Sequence, residues 1–600
     1  MRNYIAPLKD MKFVLKDLLN VEQKYEGYAK FADKVSMDIM EQYLEVAADF
    51  CQNELLPINA TGDQQGCRLQ DGVVTTPDGF KAAYDKYVEL GFTSLTGDEK
   101  YGGQGFPTLY RIAISEIITA TNWSWGMYPG LSHGAMRTLE HHGSDEQKQK
   151  FLVPLIAGRW TGTMCLTESH AGSDLGLIRT KAVPNEDGSY SISGEKIFIS
   201  AGEHDLAENI VHIVLARLPD APTGTKGISL FIVPKYNLDD AGNVASRNGV
   251  VCSAIEHKMG IHGNATCVLN FDNAKGFLIG PENRGLNCMF TFMNSARIGT
   301  AIQGLAAAES SYQGALAYAK DRLAMRSLEG AKEPNLPADP IIVHPAVRNM
   351  LLTQKVFAEG SRALAYYLAT YADIAEATDN PEEKKAAEDR LALLTPIAKA
   401  LMTETGVEAA KHGMQVFGGH GYIAEHGMEQ IARDARIASL YEGTTEIQSI
   451  DLLARKVLGS KLGLLTALTD EIQGFVKEHQ QHAQFNQQVA QVSQLTEQWL
   501  ELTKTIQSQA QQSANEIGAA SVDYLYFSGY VVSSYLWLKM AITARQKIEE
   551  GNTDPFYAAK IKTAQFFFAR ILPRTSTHVA NIQAGGESLF LLTPEEFKFD

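Results

Sequence analysis

Cysteine is scarce in this chain: six among 600 residues, with no two spaced as C-x-x-C. That argues against a disulfide-built scaffold or a zinc ribbon and points to a reducing, cytoplasmic setting. Long apolar runs are missing too. Lys9, Asp10, Lys12, Lys16 and Asp17 break up the N-terminus, where a secretion signal needs an unbroken apolar core. The longest uncharged aromatic run, Tyr524–Leu538, is 15 residues long and holds Ser and Gly. A bilayer span needs about 20 apolar residues, so a buried helix is expected there and no membrane span. Positive charge is in deficit, with 54 Lys+Arg against 70 Asp+Glu. The stretch 461–600 has 11 basic and 14 acidic residues, so no basic domain hides in the acidic average. Nucleic acid is therefore not an expected partner, because its binding rests on clustered cations.

What is present is ordinary globular composition, 45% hydrophobic and 21% charged. Six hundred residues exceed one hydrophobic core, so several packed units are expected. Residues 1–160 read as helices; in Met37–Leu56 the residues Met40, Tyr43, Leu44, Ala47, Phe50 and Cys51 recur at intervals of three and four. The glycine-rich run Tyr101–Pro107 reads as a tight loop. Over 161–280 the texture becomes that of a compact antiparallel β domain. Gly188–Ser200 alternates around an expected Ser193-Gly194 turn, and Ile210–Leu215, Ile228–Val233 and Thr266–Phe271 are short β-branched runs. Helical periodicity returns over 281–460, broken by the proline-rich exposed insertion 329–340. Residues 461–600 form a further helical region, whose Gln-rich part keeps Phe485, Val489, Val492, Leu495, Trp499 and Leu502 at helical intervals. The expected fold class is α+β and multidomain: N-terminal helical domain, middle antiparallel β domain, C-terminal helical bundle and an additional C-terminal helical domain. Strands do not alternate with helices, so a doubly wound fold is not expected.

Three pattern matches carry less chemistry than they suggest. Gly130-Leu-Ser132-His-Gly134 fits the nucleophile elbow of a serine hydrolase, but that elbow follows a strand and Thr121–Pro129 reads as loop. Gly419-His-Gly421-Tyr-Ile-Ala424 fits a relaxed dinucleotide fingerprint, yet Thr403–Phe417 before it reads as helix. His141 and His142 are adjacent on a helix and point about 100° apart, so they cannot share a metal.

Two segments hold more. In Met164–Asp174 small residues and glycines let backbone N–H groups approach a planar or anionic ligand, and Thr167 and Ser173 add hydroxyls. In Tyr441–Gln448, Thr445 and Gln448 have capping-box spacing, so a helix running to Val457 should start there with free N–H groups that suit a phosphate. Glu442 lies just outside it.

Read together, MCLTESHAGSD (Met164–Asp174), KIFIS (Lys196–Ser200), HKMGIHG (His257–Gly263), QVFGGHGY (Gln415–Tyr422) and ARDARIASLYEGTTEIQ (Ala432–Gln448) resemble the acyl-CoA dehydrogenase family in order and spacing. Tyr101–Gly105 and Gly143–Trp160 extend the likeness over about 80–460. Length and tail resemble the longer bacterial branch, which includes 3-methylmercaptopropionyl-CoA dehydrogenases. The resemblance implies an FAD-dependent oxidoreductase that converts an acyl-CoA thioester to a trans-2-enoyl-CoA. The substrates it leaves open run from 3-methylmercaptopropionyl-CoA to long-chain acyl-CoA. It implies Glu442 as catalytic base, taking the α proton while the β hydride passes to the flavin. Met164, Leu166, Thr167 and Gly172 would line the flavin, with Phe198 and Ser200 on its other side. Ser173 would meet both flavin edge and CoA. Arg322, Gln415 and Gly419 would reach a neighbouring subunit's FAD, and Thr444 a phosphate. Asn294 and Arg297 would contact CoA, while Tyr441 and Gly443 would shape the thioester pocket. Glu446 stands where the family often has Gln, Met164 where an aromatic is common, and Phe198 where Trp is common. An electron-transferring flavoprotein is the expected acceptor, and a homodimer or dimer of dimers the expected assembly. Alternatives are an acyl-CoA oxidase using dioxygen and, from another class, a non-catalytic nucleic-acid-binding flavoprotein of the same fold.

Overall fold

A computed structural model describes residues 4–598, which form two compact units. One comprises 33–299 with 4–6; the other comprises 7–32 and 300–598.

In the first unit, helices α1 (Met37–Phe50), α2 (Phe80–Glu89), α3 (Thr108–Thr121) and α4 (Trp123–His142) precede the sheet. Helix α1 begins where Ser36 accepts from the Ile39 N–H, an N-cap that satisfies one orphan donor. It buries the Met40, Leu44, Ala47 and Phe50 stripe. Helix α4 replaces the loop expected at Thr121–Pro129: Asn122 caps it by accepting from the Trp125 N–H, and Pro129 sits inside it. Local composition misleads here because α4 is buried along most of its length, and packing outweighs propensity.

Seven strands make one sheet: β1 (Trp160–Cys165), β2 (Lys181–Pro184), β3 (Tyr190–Ser200), β4 (Asn209–Ala216), β5 (Ser229–Pro234), β6 (Val250–Ile255) and β7 (Thr266–Ile279). The order is β1-β4-β5-β7-β3-β2, with β6 also on β7. Two expectations need correction. The sheet is not wholly antiparallel, because β1 pairs β4 in parallel, Trp160 opposite Asn209. No turn falls at Ser193-Gly194, because β3 runs straight through. Gly194, at φ +153°, lets the Thr180 backbone pass where a Cβ would stand 2.9 Å from the Thr180 Cα. Strand β4 is buried at every position, including Asn209 and His212, which explains why its β-branched run does not alternate with exposed polar residues. Val211, Ile213 and Leu215 pack with Ala135, Met136 and Leu139 of α4, while Val214 and Ala216 pack with Cys165, Ile192, Ile199 and Phe231 on the opposite face. Strand β1 lies close on α4: a Cβ on Gly162 would come within 2.4 Å of the Ala135 Cβ.

Helix α5 (Gly285–Asp321) gives its first part to this unit and the rest to the second. There it joins α6 (Pro345–Ala377), α7 (Pro381–Phe417), α8 (Met428–Ala438), α9 (Thr445–Ile450), α10 (Gly463–Glu478), α11 (Asn486–Gln509), α12 (Asn515–Glu549), α13 (Pro555–Phe566) and α14 (Thr575–Ala584). Helices α5 and α7 cross at two glycines, where a Cβ on Gly304 would be 2.0 Å from the Met402 carbonyl. The 329–340 insertion is exposed as expected, except that Asp339 is buried and accepts from the N–H groups of Ser327, Lys332 and Glu333. Helix α11 buries Val489, Val492, Trp499 and Leu502, and α12 buries the aromatic run Tyr524–Leu538. No helix among the described residues is long and apolar enough to cross a membrane.

Candidate active site

In the second unit, α8 ends and the chain turns sharply before α9. Tyr441 is held at both ends: its N–H donates to the Ile437 carbonyl at 3.1 Å, and its hydroxyl donates to Gln303 Oε1 at 2.5 Å. Glu442 (φ +56°) and Gly443 (φ +87°) then both adopt left-handed backbone. For a glutamate this conformation costs on the order of 1–3 kcal/mol and persists only where neighbours enforce it. Two buried side chains do so. Lys399 of α7 donates to the Gly443 carbonyl at 2.6 Å, and Gln448 Nε2 donates to the Glu442 carbonyl at 2.9 Å. Any side chain at 443 would meet Gln448, since its Cβ would lie 2.6 Å from Nε2. The helix cap falls one residue earlier than the Thr445–Gln448 spacing suggests. Thr444 is the N-cap, accepting from the Ile447 N–H at 3.3 Å, while Thr445 donates to Glu404 at 2.6 Å. Gln448 is a clasp on the carboxylate loop and no part of a capping box. Glu446 takes a hydrogen bond from Thr444, which lowers its pKa. The result is a half-buried carboxylate presented on a fixed loop beside a helix N-terminus.

Gln415, Gly419 and Arg322 are exposed in the same unit, with nothing within 4 Å of a Cβ on Gly418 or Gly419. The turn Gly418–Tyr422 follows helix α7 directly, so the dinucleotide fingerprint has no strand before it.

In the first unit the loop after β1 is clamped to β3. The Ile197 N–H donates to the Thr167 carbonyl at 2.9 Å, and buried Lys196 donates to the Leu166 carbonyl at 2.9 Å and to Glu168 at 2.9 Å. Glu168 also accepts from the Thr180 hydroxyl and from the backbone N–H groups of Arg179 and Thr180. Burial opposes its charge, but Lys196 and these donors hold its pKa down to about 2. Beside the clamp, Met164, Leu166 and Thr167 remain half-exposed around buried Cys165 and ahead of buried Glu168, and Gly172 and Ser173 are exposed. Opposite β7, the pairing slips between Cys267↔Ile199 and Leu269↔Lys196, which leaves an extra residue on β3. Phe198 sits on that bulge at φ +57° and 59% exposed. Bulges of this kind re-aim a side chain. Ser200 is tied in by its carbonyl, which accepts from Thr163 at 2.6 Å. An FAD ring system fits these residues, which offer apolar faces (Met164, Leu166, Phe198), a hydroxyl and an open glycine edge. The buried Thr266 hydroxyl, opposite Ser200 in the ladder, has no partner among the described residues.

On α5, Asn294 is exposed and Arg297 almost fully buried. Ser132 is no nucleophile elbow: it lies inside α4, donating to the Tyr128 carbonyl at 3.0 Å and accepting from the Gly162 N–H. Among the described residues no group of three or more His, Cys, Asp or Glu side chains could hold a metal. Lys399, Gln448, Glu168 and the Phe198 bulge escaped sequence reading; only Gln448 carried a signal, and that signal pointed to a cap.

The chain matches the acyl-CoA dehydrogenase N-terminal domain over 38–159, the middle domain over 163–274 and the C-terminal domain over 283–458. Residues 468–593 match the acetyl-CoA dehydrogenase C-terminal-like family. It is 40% identical to a 3-methylmercaptopropionyl-CoA dehydrogenase of Ruegeria pomeroyi, over 98% of this chain and 99% of that one. Among solved structures, Caenorhabditis elegans ACDH-11 in complex with C11-CoA aligns with a TM-score of 0.77 at 20% identity, covering 94% of this chain and 91% of that one. An acyl-CoA dehydrogenase of Bacillus anthracis complexed with FAD aligns with a TM-score of 0.74 at 21% identity, covering 92% and 89%.

Proposed function

The chain belongs to the acyl-CoA dehydrogenase family of FAD-dependent oxidoreductases, and we propose that Glu442 is the base that takes the α proton of its acyl-CoA substrate. The observation that carries this reading is the backbone of Glu442 and Gly443, held left-handed by Lys399 and Gln448 directly before the Thr444-capped helix. A thioester acidifies its α C–H only modestly, so the base must be positioned before substrate arrives. Substrate binding dries the carboxylate, which favours its neutral form and raises its proton affinity. The backbone N–H of Glu442 polarises the thioester carbonyl, where negative charge develops as the proton leaves. FAD, when bound, supplies the two-electron acceptor for the β carbon, and the product is a trans-2-enoyl-CoA. Met164, Leu166, Thr167, Gly172, Phe198 and Ser200 hold the flavin ring and Thr444 meets a phosphate, while Arg322, Gln415 and Gly419 reach the FAD of a neighbouring subunit. Tyr441 and Gly443 shape the thioester pocket, while Ser173, Asn294 and Arg297 contact CoA. The substrate is an acyl-CoA of the range that runs from 3-methylmercaptopropionyl-CoA to fatty acyl-CoA. The electron acceptor is an electron-transferring flavoprotein and the working assembly a homodimer or dimer of dimers in the cytoplasm.

The test is anaerobic mixing of purified yellow protein with acyl-CoA. The native flavin bleaches, and an E442Q variant that keeps its flavin bleaches at least about 10²-fold more slowly. Bleaching of E442Q at the native pace overturns the assignment. Reoxidation by an electron-transferring flavoprotein but not by air supports the proposed acceptor; rapid reoxidation by air makes the protein an oxidase.

A further inference from the structure

Four helices of the second unit converge on one carboxylate. Glu471 of α10 accepts from the Tyr367 hydroxyl of α6 at 2.6 Å and from the Tyr535 hydroxyl of α12 at 3.1 Å. Its other oxygen pairs with Arg390 of α7. Tyr371 donates to the Tyr367 hydroxyl at 3.0 Å, and Lys539 donates to the Tyr535 hydroxyl at 3.5 Å. Each of these two pairs is spaced by four, which puts both members on one helix face. The short helix Val21–Glu26 adds Lys24, which donates to the buried Thr370 hydroxyl at 3.5 Å and lies 5.8 Å from the Tyr371 ring centre.

The charges of this cluster do not balance. Arg390, Lys24 and Lys539 share a single carboxylate, and Arg390 is the cation paired with it. Neither lysine ammonium has an ion pair among the described residues, and their hydrogen bonds of 3.5 Å are long. An ammonium carries three donors, so most of theirs are unfilled by protein. The Phe475 and Tyr535 rings stand 5.8 and 5.1 Å from Lys539, but an aromatic face attracts a cation without neutralising it. Burial, then the charge of Lys539, lowers the pKa of Lys24 to about 8 against the pull of Glu471, and burial lowers that of Lys539. Two ammonium groups brought this close and partly out of water call for an anion between them. Lys24, Lys539, Tyr371 and Phe475 are all half-buried, so each keeps a face to solvent.

We propose that Lys24 and Lys539 together bind the phosphate group of a small solute, whose negative charge completes the cluster. Two surplus positive charges match a dianion, and lysine binds phosphate as a point charge. A carboxylate returns one negative charge and is held less well. No residue assigned above to the flavin or the thioester takes part, so the site stands or falls separately from the dehydrogenase reading.

The experiment is isothermal titration calorimetry on the full-length, FAD-loaded protein in chloride at fixed ionic strength, with inorganic phosphate, glycerol 3-phosphate and acetate as probes. Phosphate or its monoester binds at least about tenfold more tightly than acetate, and K24M and K539M each weaken that binding at least about tenfold. K24R, which keeps the charge, stays within about threefold of the native protein. Tighter binding of glycerol 3-phosphate identifies a phosphate ester as the ligand, and tighter binding of inorganic phosphate identifies the free ion. Because each methionine removes a repelling cation, both variants keep at least the native melting temperature in chloride, yet lose the rise that phosphate gives the native protein. Absence of phosphate and monoester binding, affinity no greater than for acetate, or binding that both methionine variants retain overturns the proposal.

Discussion

Glu442, the proposed base, is held by its neighbours in a single left-handed backbone conformation. Gly443 has no Cβ to strike Gln448, and Lys399 restrains the Gly443 carbonyl from below. We expect Lys399→Met to slow flavin bleaching about tenfold while the dissociation constant for acyl-CoA stays within about twofold, since one charge-assisted hydrogen bond is worth about 1.5–3 kcal/mol. Single-turnover kinetics separate the two constants; a change confined to binding would refute a positioning role. Gly443→Ala, strained at φ +87° and blocked by Gln448, should lower both activity and melting temperature. In isolation Glu442 reads as a solvent-facing loop carboxylate; it stands out in the sequence only through the order and spacing of the family motifs around it. Lys399 does not stand out, because a lysine inside a helical period reads as a solvated side chain until the fold buries it.

Among the elements, β3 does the most with the least sequence signal. Lys196 ties it to the Leu166 carbonyl and Glu168, and two residues further the strand bulges to put Phe198 outside. Removing the cation alone strands a buried carboxylate, so Lys196→Met should cost about 3–5 kcal/mol and loosen flavin, read as lost yellow colour at lower temperature. Glu168 is held at about 2 against an ordinary 4.5. Its contribution is therefore fully present above pH 4.5 and is lost as pH falls through about 2. Strand existence was readable from β-branched runs. The parallel β1–β4 pairing and the uninterrupted course of β3 were not, because strands buried on both faces do not alternate, and a glycine in a strand can mark a close approach as readily as a turn.

At the scale of the whole chain, residues 461–598 are built into the second unit. Lys560 of α13 joins Asp10 and Glu359, while Arg362 joins Asp10 and, at 2.7 Å, Glu309. Arg574 holds Glu408 of α7 with two bonds of 2.7 and 2.8 Å, and Ser521 of α12 bonds Ser449 of α9 at 3.0 Å. Burial alone would raise the Asp10 pKa, but Lys560 and Arg362 lower it to about 2 from 3.8. That stabilisation is present above pH 3.8 and lost as pH drops through about 2. Lys560→Met should therefore unfold at a higher pH than the native chain in an acid titration followed by circular dichroism, and cost about 3–5 kcal/mol at neutral pH. Coincident acid transitions would refute this. The helical stripe of α11 and the aromatic run of α12 announced that the tail has a core. They could not announce what it rests on, because partners such as Asp10 and Lys560 lie 550 positions apart.

One helix, α7, carries Lys399 at its middle, bonded to the carboxylate loop, and Gln415 near its C-terminal end. Sixteen residues of helix set those two points roughly 24 Å apart and fix their angular phase. Deleting a single residue between 407 and 412 would leave a helix of nearly equal length yet swing Gln415 by about 100° about the axis. Such a shortened chain should keep its circular dichroism and lose its colour.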